Sequence, residues 1–340
     1  MQTPRPRKRR ATVHDVAIHS GVSRGTVSRY INGKQYVSAS AREAIEAAIL
    51  QVGYVPNTAA RNLVMQRSQS VGFVVHEPGA SFVEDPNIGE ILLGANAAVS
   101  AADHQMVVLV VDSERDTARV ARYLSGGFVE GVVVVSARSH DPISDVIERL
   151  ELPAAYVGRP PDAPASASFV VIDNRSAAQT ITERLAATGR RRIGMIAAAL
   201  DRDSGADRLA GFRAALGAAF DPDLVEAIPL YSYSSGRDAA TALLERAPDL
   251  DGIFAASDAV AAGAMEAVRA AGRRIPEDIG IVGFDDSAWS RRTTPALSTV
   301  RQPARELGAT AAGLVLGKLI GDAAPSQVEL DCEVVWRDSA

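Results

Sequence analysis

Cysteine is almost missing from this 340-residue chain. Cys332 stands alone, so no internal disulfide, no Cys-based zinc site and no Cys-x-x-Cys redox pair can form. A reducing compartment is the expectation that follows. Long apolar runs are missing too: the longest, residues 106–111 and 132–135, fall far short of the roughly 20 residues that span a bilayer. The basic run Arg7-Lys8-Arg9-Arg10 leads into a segment holding His14, Asp15 and His19, not into an apolar stretch, so no secretory signal is read there and a cytoplasmic protein is expected. Catalytic signatures are equally scarce. There is no Gly-x-Gly-x-x-Gly, P-loop, Gly-x-Ser-x-Gly elbow or His-Glu-x-x-His, and the five histidines, at 14, 19, 76, 104 and 140, show no metal spacing. Asp285-Asp286 reads as two strand neighbours facing opposite ways, which do not share one substrate. No enzyme, cofactor or metal site is expected, and no internal repeat or low-complexity tract stands out.

What is present is globular: 47% hydrophobic and 23% charged residues, in a length that suits two or three domains at roughly 100–200 residues each. The net charge of −5 is unevenly divided. Residues 1–70 hold eleven Lys/Arg against three acids, +8, and the remainder carries −13. A basic amino-terminal module on an acidic body is expected where one end meets a polyanion.

Within that module Thr12 can cap a helix whose apolar stripe is Val13, Val16 and Ala17. Gly21 interrupts it, Ser23 can cap a second helix buried through Val27 and Ile31, and the pair reads as a helix-turn-helix. Arg24, Gly25, Ser28 and Arg29 share the outward or leading face of the second helix, where arginines can read guanine edges. A third helix over about residues 39–52 completes the core with Ala44, Ile45, Ala48, Ile49 and Val52. Asn57 can cap a short further helix over 58–65.

The stretches Ala11-Thr12-Val13-His14-Asp15-Val16-Ala17, Gly21-Val22-Ser23-Arg24-Gly25-Thr26-Val27-Ser28-Arg29, Asn32-Gly33, Val37-Ser38 and Gly53-Tyr54-Val55-Pro56-Asn57 closely resemble the DNA-binding head of the LacI/GalR family of bacterial repressors. The resemblance implies base reading by Arg24, Gly25 and Arg29 and phosphate contacts from Thr12, Ser23, Thr26 and Asn32. Gly25 departs from a base-reading pattern, having no side chain to offer. It also implies a hinge helix entering the minor groove, with Asn57 at its cap, Ala60 allowing close approach and Leu63 as the wedge; such a wedge unstacks a base step and bends the duplex. Residues 1–10 read as a disordered basic arm, 11–56 as the helix-turn-helix domain and 57–70 as hinge helix and linker.

Beyond residue 70, short apolar runs alternate with Ala-rich amphipathic stretches, the pattern of parallel sheets covered on both faces. Strands are expected near 71–75, 106–111, 131–135, 155–157, 169–172, 193–197, 252–255 and 279–283, with helices near 89–102, 115–125, 142–150, 175–188, 207–219, 235–247 and 258–271. One large doubly wound domain and two similar lobes both fit. The family resemblance continues through Asp173-Asn174, Arg208-Leu209-Ala210-Gly211-Phe212, Ala256-Ser257-Asp258, Val282-Gly283-Phe284-Asp285-Asp286 and Leu297-Ser298-Thr299-Val300-Arg301-Gln302-Pro303, and implies the α/β periplasmic-binding-protein-like core of two doubly wound parallel-sheet lobes. That core would comprise an amino-terminal lobe of about 71–167 and 303–329 and a carboxyl-terminal lobe of about 168–300 and 330–340, with three crossings between them.

Ligands of open α/β sheets bind at the carboxyl ends of the strands. There Arg208 is expected to open a helix, Asp258 to open another and Asp285 to end a strand. One Arg, two carboxylates and an aromatic suit a small polyhydroxylated ligand. The resemblance assigns effector contact to Arg208, Asp285 and Tyr231, sets Ser257 where the family often has Asn, and puts Gln302 at the lobe hinge. Asp258 reads equally as a helix cap, and Tyr231 equally as core. The segment Glu77-Pro78-Gly79-Ala80-Ser81-Phe82 with Asp85-Pro86-Asn87-Ile88 departs from the common family pattern and is expected to enter the cleft. The reading is a homodimeric, sequence-specific repressor on a pseudo-palindromic operator, controlled by a small molecule of sugar or polyol type. A carbohydrate receptor without DNA binding and a nucleotide-cofactor enzyme are the other classes weighed.

Overall fold

A computed structural model describes residues 11–31, 37–54, 68–77, 85–161, 167–321 and 327–340. The chain divides after residue 68 into two compact units.

The first unit holds α1 (Val13–Ser20), α2 (Arg24–Ile31) and α3 (Ala39–Val52). Thr12 and Asp15 form a reciprocal capping box at α1, and Gly21 ends that helix at φ +69°, a conformation glycine adopts without strain. Ser23 caps α2 by accepting from the Thr26 amide at 3.1 Å. Val16, Ala17, Val27, Ile45, Ala48 and Tyr54 form the buried core. The apolar positions at i, i+3 and i+4 of the sequence thus converge on one point.

The second unit contains two parallel sheets. Its elements are β1 (Ser70–Val75), α4 (Pro86–Ala101), β2 (Gln105–Val110), α5 (Glu114–Ser125), β3 (Gly131–Val135), α6 (Pro142–Arg149), β4 (Ala154–Val157), β5 (Phe169–Ile172), α7 (Asn174–Ala187), β6 (Ile193–Ala198) and α8 (Asp203–Leu216). They continue with β7 (Val225–Ile228), α9 (Tyr233–Arg246), β8 (Gly252–Ala255), α10 (Asp258–Ala270), β9 (Gly280–Val282), α11 (Ala288–Arg292), β10 (Thr299–Arg301), α12 (Ala304–Leu319), β11 (Gln327–Leu330) and β12 (Glu333–Val335). The first lobe's sheet runs β11-β5-β4-β3-β1-β2, the second's runs β7-β6-β8-β9, and β10 pairs antiparallel with β12 between them. The expected strand β1 is fully apolar from Val71 to Val75, as a strand covered on both faces must be.

Six elements the sequence pattern did not suggest, β7, β10, β11, β12, α11 and α12, lie in the last third of the chain or at a sheet edge. The strands β11 and β12 carry Glu329 and Glu333 at exposed positions beside half-buried residues, and β7 has a half-buried Glu226 next to an exposed Ala227, so their apolar runs are too short to stand out. The long helix α12 reads ARELGATAAGLVLGKL, small residues and glycines with little amphipathic contrast. The lobe boundary also differs from expectation. The strand β5 pairs with β4 and β11, which places residues 169–172 in the first lobe, and the chain crosses at 173, at 302–303 and at 331–332.

Candidate functional site: an exposed recognition helix and an inter-lobe cleft

On the first unit, Arg24, Gly25 and Arg29 lie on the exposed surface of α2. Arg29 stretches back along its own helix, Nε donating to the Gly25 carbonyl and Nη2 to Thr26 Oγ1, both at 3.3 Å. This holds the guanidinium beside the α2 amino terminus. Ser23 and Thr26 share a hydroxyl hydrogen bond at 2.9 Å, and Thr12 Oγ1 donates to Asp15 at 2.7 Å. These hydroxyls cluster at two helix amino termini, whose amides and dipoles favour phosphate. Asn32, Asn57, Ala60 and Leu63, the remaining positions assigned to DNA, lie outside the described residues, as does the expected hinge helix.

On the second unit, a cleft between the lobes brings Arg208, Asp285, Tyr231 and Gln302 together. Arg208 does not open its helix. Arg202 is extended at the amino-terminal boundary, α8 starts at Asp203, and Arg208 emerges from the second turn. It is buried, donating through Nε to Asn174 Oδ1 at 3.0 Å and through Nη1 to the Ala256 carbonyl at 2.6 Å, with Nη2 3.7 Å from Asp285 Oδ1. Its guanidinium lies 3.7 Å from the Phe284 ring centroid and 5.7 Å from that of Tyr231. Gln302 Nε2 donates to Asp285 Oδ1 at 2.6 Å.

Asp285 does not end β9, which stops at Val282; it sits at φ +112° in a turn bridged to Arg301. Burial pushes its carboxyl well above the usual range, against the pull of Arg208. Its neighbour Asp286 turns away. Burial opposes ionisation there, yet hydrogen bonds from Arg337 at 2.5 Å and Arg301 at 2.7 Å hold its carboxyl below the usual range. The two carboxylates do point apart, but from a turn and not from a strand.

Two expected cleft residues are elsewhere. Ser257 is the cap of α10, accepting from the Val260 amide at 3.3 Å. Asp258 is fully buried behind the β9 turn, accepting from Thr299 Oγ1 at 2.5 Å and from the Ser287 amide at 2.6 Å. Burial raises its carboxyl to about 7. Neither lines the cleft.

Other cleft residues were not singled out as ligand contacts. Asn174, the first residue of α7, positions Arg208 and lies in the Asp173-Asn174 pair already noticed. Asp85 caps α4 by accepting from the Asn87 amide at 2.9 Å, and burial raises its carboxyl to about 6. Glu77, 4% exposed, hydrogen-bonds Arg202, 6% exposed, directly across the lobes. Arg138 adds ion pairs to Glu77 at 3.7 Å and to Asp201 at 3.4 Å. Glu77 and Asp85 belong to the segment that departs from the common pattern; its residues 78–84 lie outside the described residues. Only folding shows that Arg202 meets it.

Residues 12–57 match the family of bacterial regulatory proteins, lacI family, and residues 182–340 match a periplasmic binding protein-like domain. The chain is 40% identical over 338 residues to the HTH-type transcriptional regulator CelR of Thermobifida fusca, covering 98% of this chain and 99% of that one. It is 32% identical over 309 residues to the ribose operon repressor of Halalkalibacterium halodurans, covering 91% and 90%. Among solved structures, a transcriptional regulator CelR–cellobiose complex superposes with a TM-score of 0.78 at 38% identity, over 97% of this chain and all of the other. The lac repressor dimer bound to operator and the anti-inducer ONPF superposes with a TM-score of 0.86 at 26% identity, over 97% and 99%. With a helix-turn-helix head, two parallel-sheet lobes and a polar cleft between them, the chain belongs to the lacI family of bacterial regulatory proteins, DNA-binding transcriptional regulators controlled by a small ligand.

Proposed function

We propose that this regulator is a homodimeric repressor whose cleft takes a neutral disaccharide of the cellobiose class. The observation that carries the reading is the buried Arg208–Asp285 pair with Asn174, Gln302 and Tyr231 around it, in a chain 40% identical end to end to CelR. Fixed donors and acceptors beside an aromatic face suit a polyhydroxylated ring. The cleft lining carries four carboxylates, Glu77, Asp85, Asp203 and Asp285, against Arg159, Arg202 and Arg208, and Arg202 and Arg208 each face one of them, which disfavours a sugar phosphate or acid.

Dimerisation is supported by an unpaired edge. The strand β2 borders its sheet with the apolar sequence QMVVLV, Val108 is 42% exposed, and Leu93 on the adjacent α4 is 52% exposed. Two heads across a two-fold read a pseudo-palindrome, with Arg24 and Arg29 on base edges, Thr12, Ser23, Thr26 and Asn32 on phosphates, and Asn57, Ala60 and Leu63 in the minor groove. The cleft performs recognition and not catalysis, and the protein acts in the cytoplasm. Effector works through its different affinity for two lobe arrangements.

The experiment is selection of an operator from random duplexes at physiological salt, followed by titration with cellobiose, ribose and purine bases. Recovery of a pseudo-palindrome whose affinity changes at least tenfold with cellobiose alone supports the reading. A response to ribose or a purine, or to nothing, overturns the ligand class.

A further inference from the structure

The charged side chains of the cleft lining do not balance, and the imbalance falls on one residue. Of its four carboxylates, three are matched by its three arginines. Glu77 hydrogen-bonds Arg202 from the opposite lobe, and Asp285 lies 3.7 Å from Arg208 and accepts from Gln302 at 2.6 Å. Asp203 is met by the backbone amide and the charge of Arg159. Asp85 is the acid left over. Among the described residues it makes no ion pair, and the hydrogen bond it accepts is the 2.9 Å contact from the Asn87 amide that caps α4.

Its position makes the imbalance a matter of conformation. Asp85 stands on the first lobe, while Arg202, Arg208 and Asp285 face it from the second. With the lobes together, Asp85 has Glu77 beside it and repels Asp285, and the pull of Arg208 and Arg202 does not offset the loss of water. Tyr231 is the remaining ionisable group of the lining, and Arg305, on the α12 packed against α4, is paired with Glu90 at 2.9 Å. No cation is left for Asp85 among these groups. Moving the lobes apart returns water to it and takes Asp285 away, and the carboxyl then ionises as an ordinary aspartate.

We infer that the cleft is a proton-sensitive switch, in which Asp85 takes up a proton as the lobes close over it. The inference is independent of which ligand the cleft takes. The closed-state carboxyl is raised to about 6 from an ordinary 3.8, so closure is supported at low pH and loses that support as pH rises through 6. The ratio of closed to open forms is expected to rise about tenfold from pH 7.5 to pH 5.

Fluorescence energy transfer in the ligand-free full chain tests it. Dyes are placed at Asp145→Cys on α6 and Ser234→Cys on α9, exposed positions on the two lobes, in a Cys332→Ser background diluted into unlabelled protein. Transfer is expected to rise as pH falls from 7.5 to 5. Asp85→Asn keeps an acceptor for the cap without the charge, and is expected to give the high transfer at both pH values. Asp258→Asn, behind the β9 turn, is expected to leave the pH response in place. Transfer independent of pH in the parent chain, a response undiminished in Asp85→Asn, or one abolished by Asp258→Asn overturns the inference. Far-UV circular dichroism at both pH values verifies that each variant is folded.

Discussion

At the scale of single residues, Arg208 is the centre of the cleft because every group around it has been spent on it. Asn174, the Ala256 carbonyl, Phe284 and Asp285 all address the one guanidinium. Arg208→Met removes it and leaves Asp285 buried without its cation, which costs about 3 kcal/mol for a broken buried pair. Effector affinity is expected to fall at least a hundredfold, with operator binding retained, as calorimetry and anisotropy on one preparation can check. Asp258 makes a pH prediction. Its folded carboxyl titrates near 7 against an ordinary 3.8, so between those values the native state holds a proton that the unfolded chain releases. Its stabilising contribution is present below pH 4 and is lost as pH rises toward 7. Asp85, raised to about 6, acts in the same direction. Denaturation midpoints of the 69–340 transition are expected to fall from pH 5 to pH 7.5, and Asp258→Asn to flatten part of that slope. On the head, Arg29→Ala is expected to weaken operator binding far more than binding to random DNA. Equal losses would mean that Arg29 meets only phosphate.

At the scale of elements, α4 and α12 lie closer than ordinary side chains permit. A Cβ on Gly94 would stand 1.8 Å from the Arg305 carbonyl oxygen, and one on Gly308 would stand 1.9 Å from that of Ile91. These glycines face backbone and cannot be accommodated by a rotamer change. Gly308→Ala is therefore expected to destabilise the second unit by about 2–3 kcal/mol through forced separation of the helices. Gly313, exposed in the same helix with open space around its Cβ position, is the control: Gly313→Ala is expected to stabilise by about 0.5–1 kcal/mol. Thermal unfolding of both variants tests the sign. The same closeness explains why α12 escaped a reading by periodicity. Its buried face consists of Ala304, Gly308, Ala311 and Ala312 together with leucines and Val315, so hydrophobic contrast was sacrificed for fit.

At the scale of the whole molecule, the two lobes are joined by a hinge through which the chain passes three times, returning β11 to the first lobe's sheet. The strand β12 returns to pair with β10, and Asp286 gathers Arg301 and Arg337 from two crossing segments. Across the cleft the lobes meet at Glu77 and Arg202, with Arg138 and Asp201 beside them. Glu77→Gln removes the charge partner that Arg202 has across the cleft and leaves it only the longer 3.9 Å approach to Asp201. Small-angle scattering of this variant is expected to give a larger radius of gyration, restored by effector. An unchanged radius would mean that the hinge and not the ion pair holds the lobes together.

Much of this protein was legible in its sequence because local patterns carry it. The capping box at Thr12 and Asp15, the glycine after α1, the stripes that meet in the head core and the fully apolar β1 and β3 each follow from neighbours a few residues apart. The basic head and acidic body are likewise a matter of counting, and Arg208, Asp285, Tyr231 and Gln302 were marked by motif before their contacts were visible. Tertiary structure decided what local pattern cannot carry. It sent Asp258 into the interior and β5 into the first lobe, and it joined Glu77 to Arg202 across 125 residues of chain. The physical reason is that burial and charge pairing depend on which distant segments meet, and periodicity records only which face of an element is turned inward.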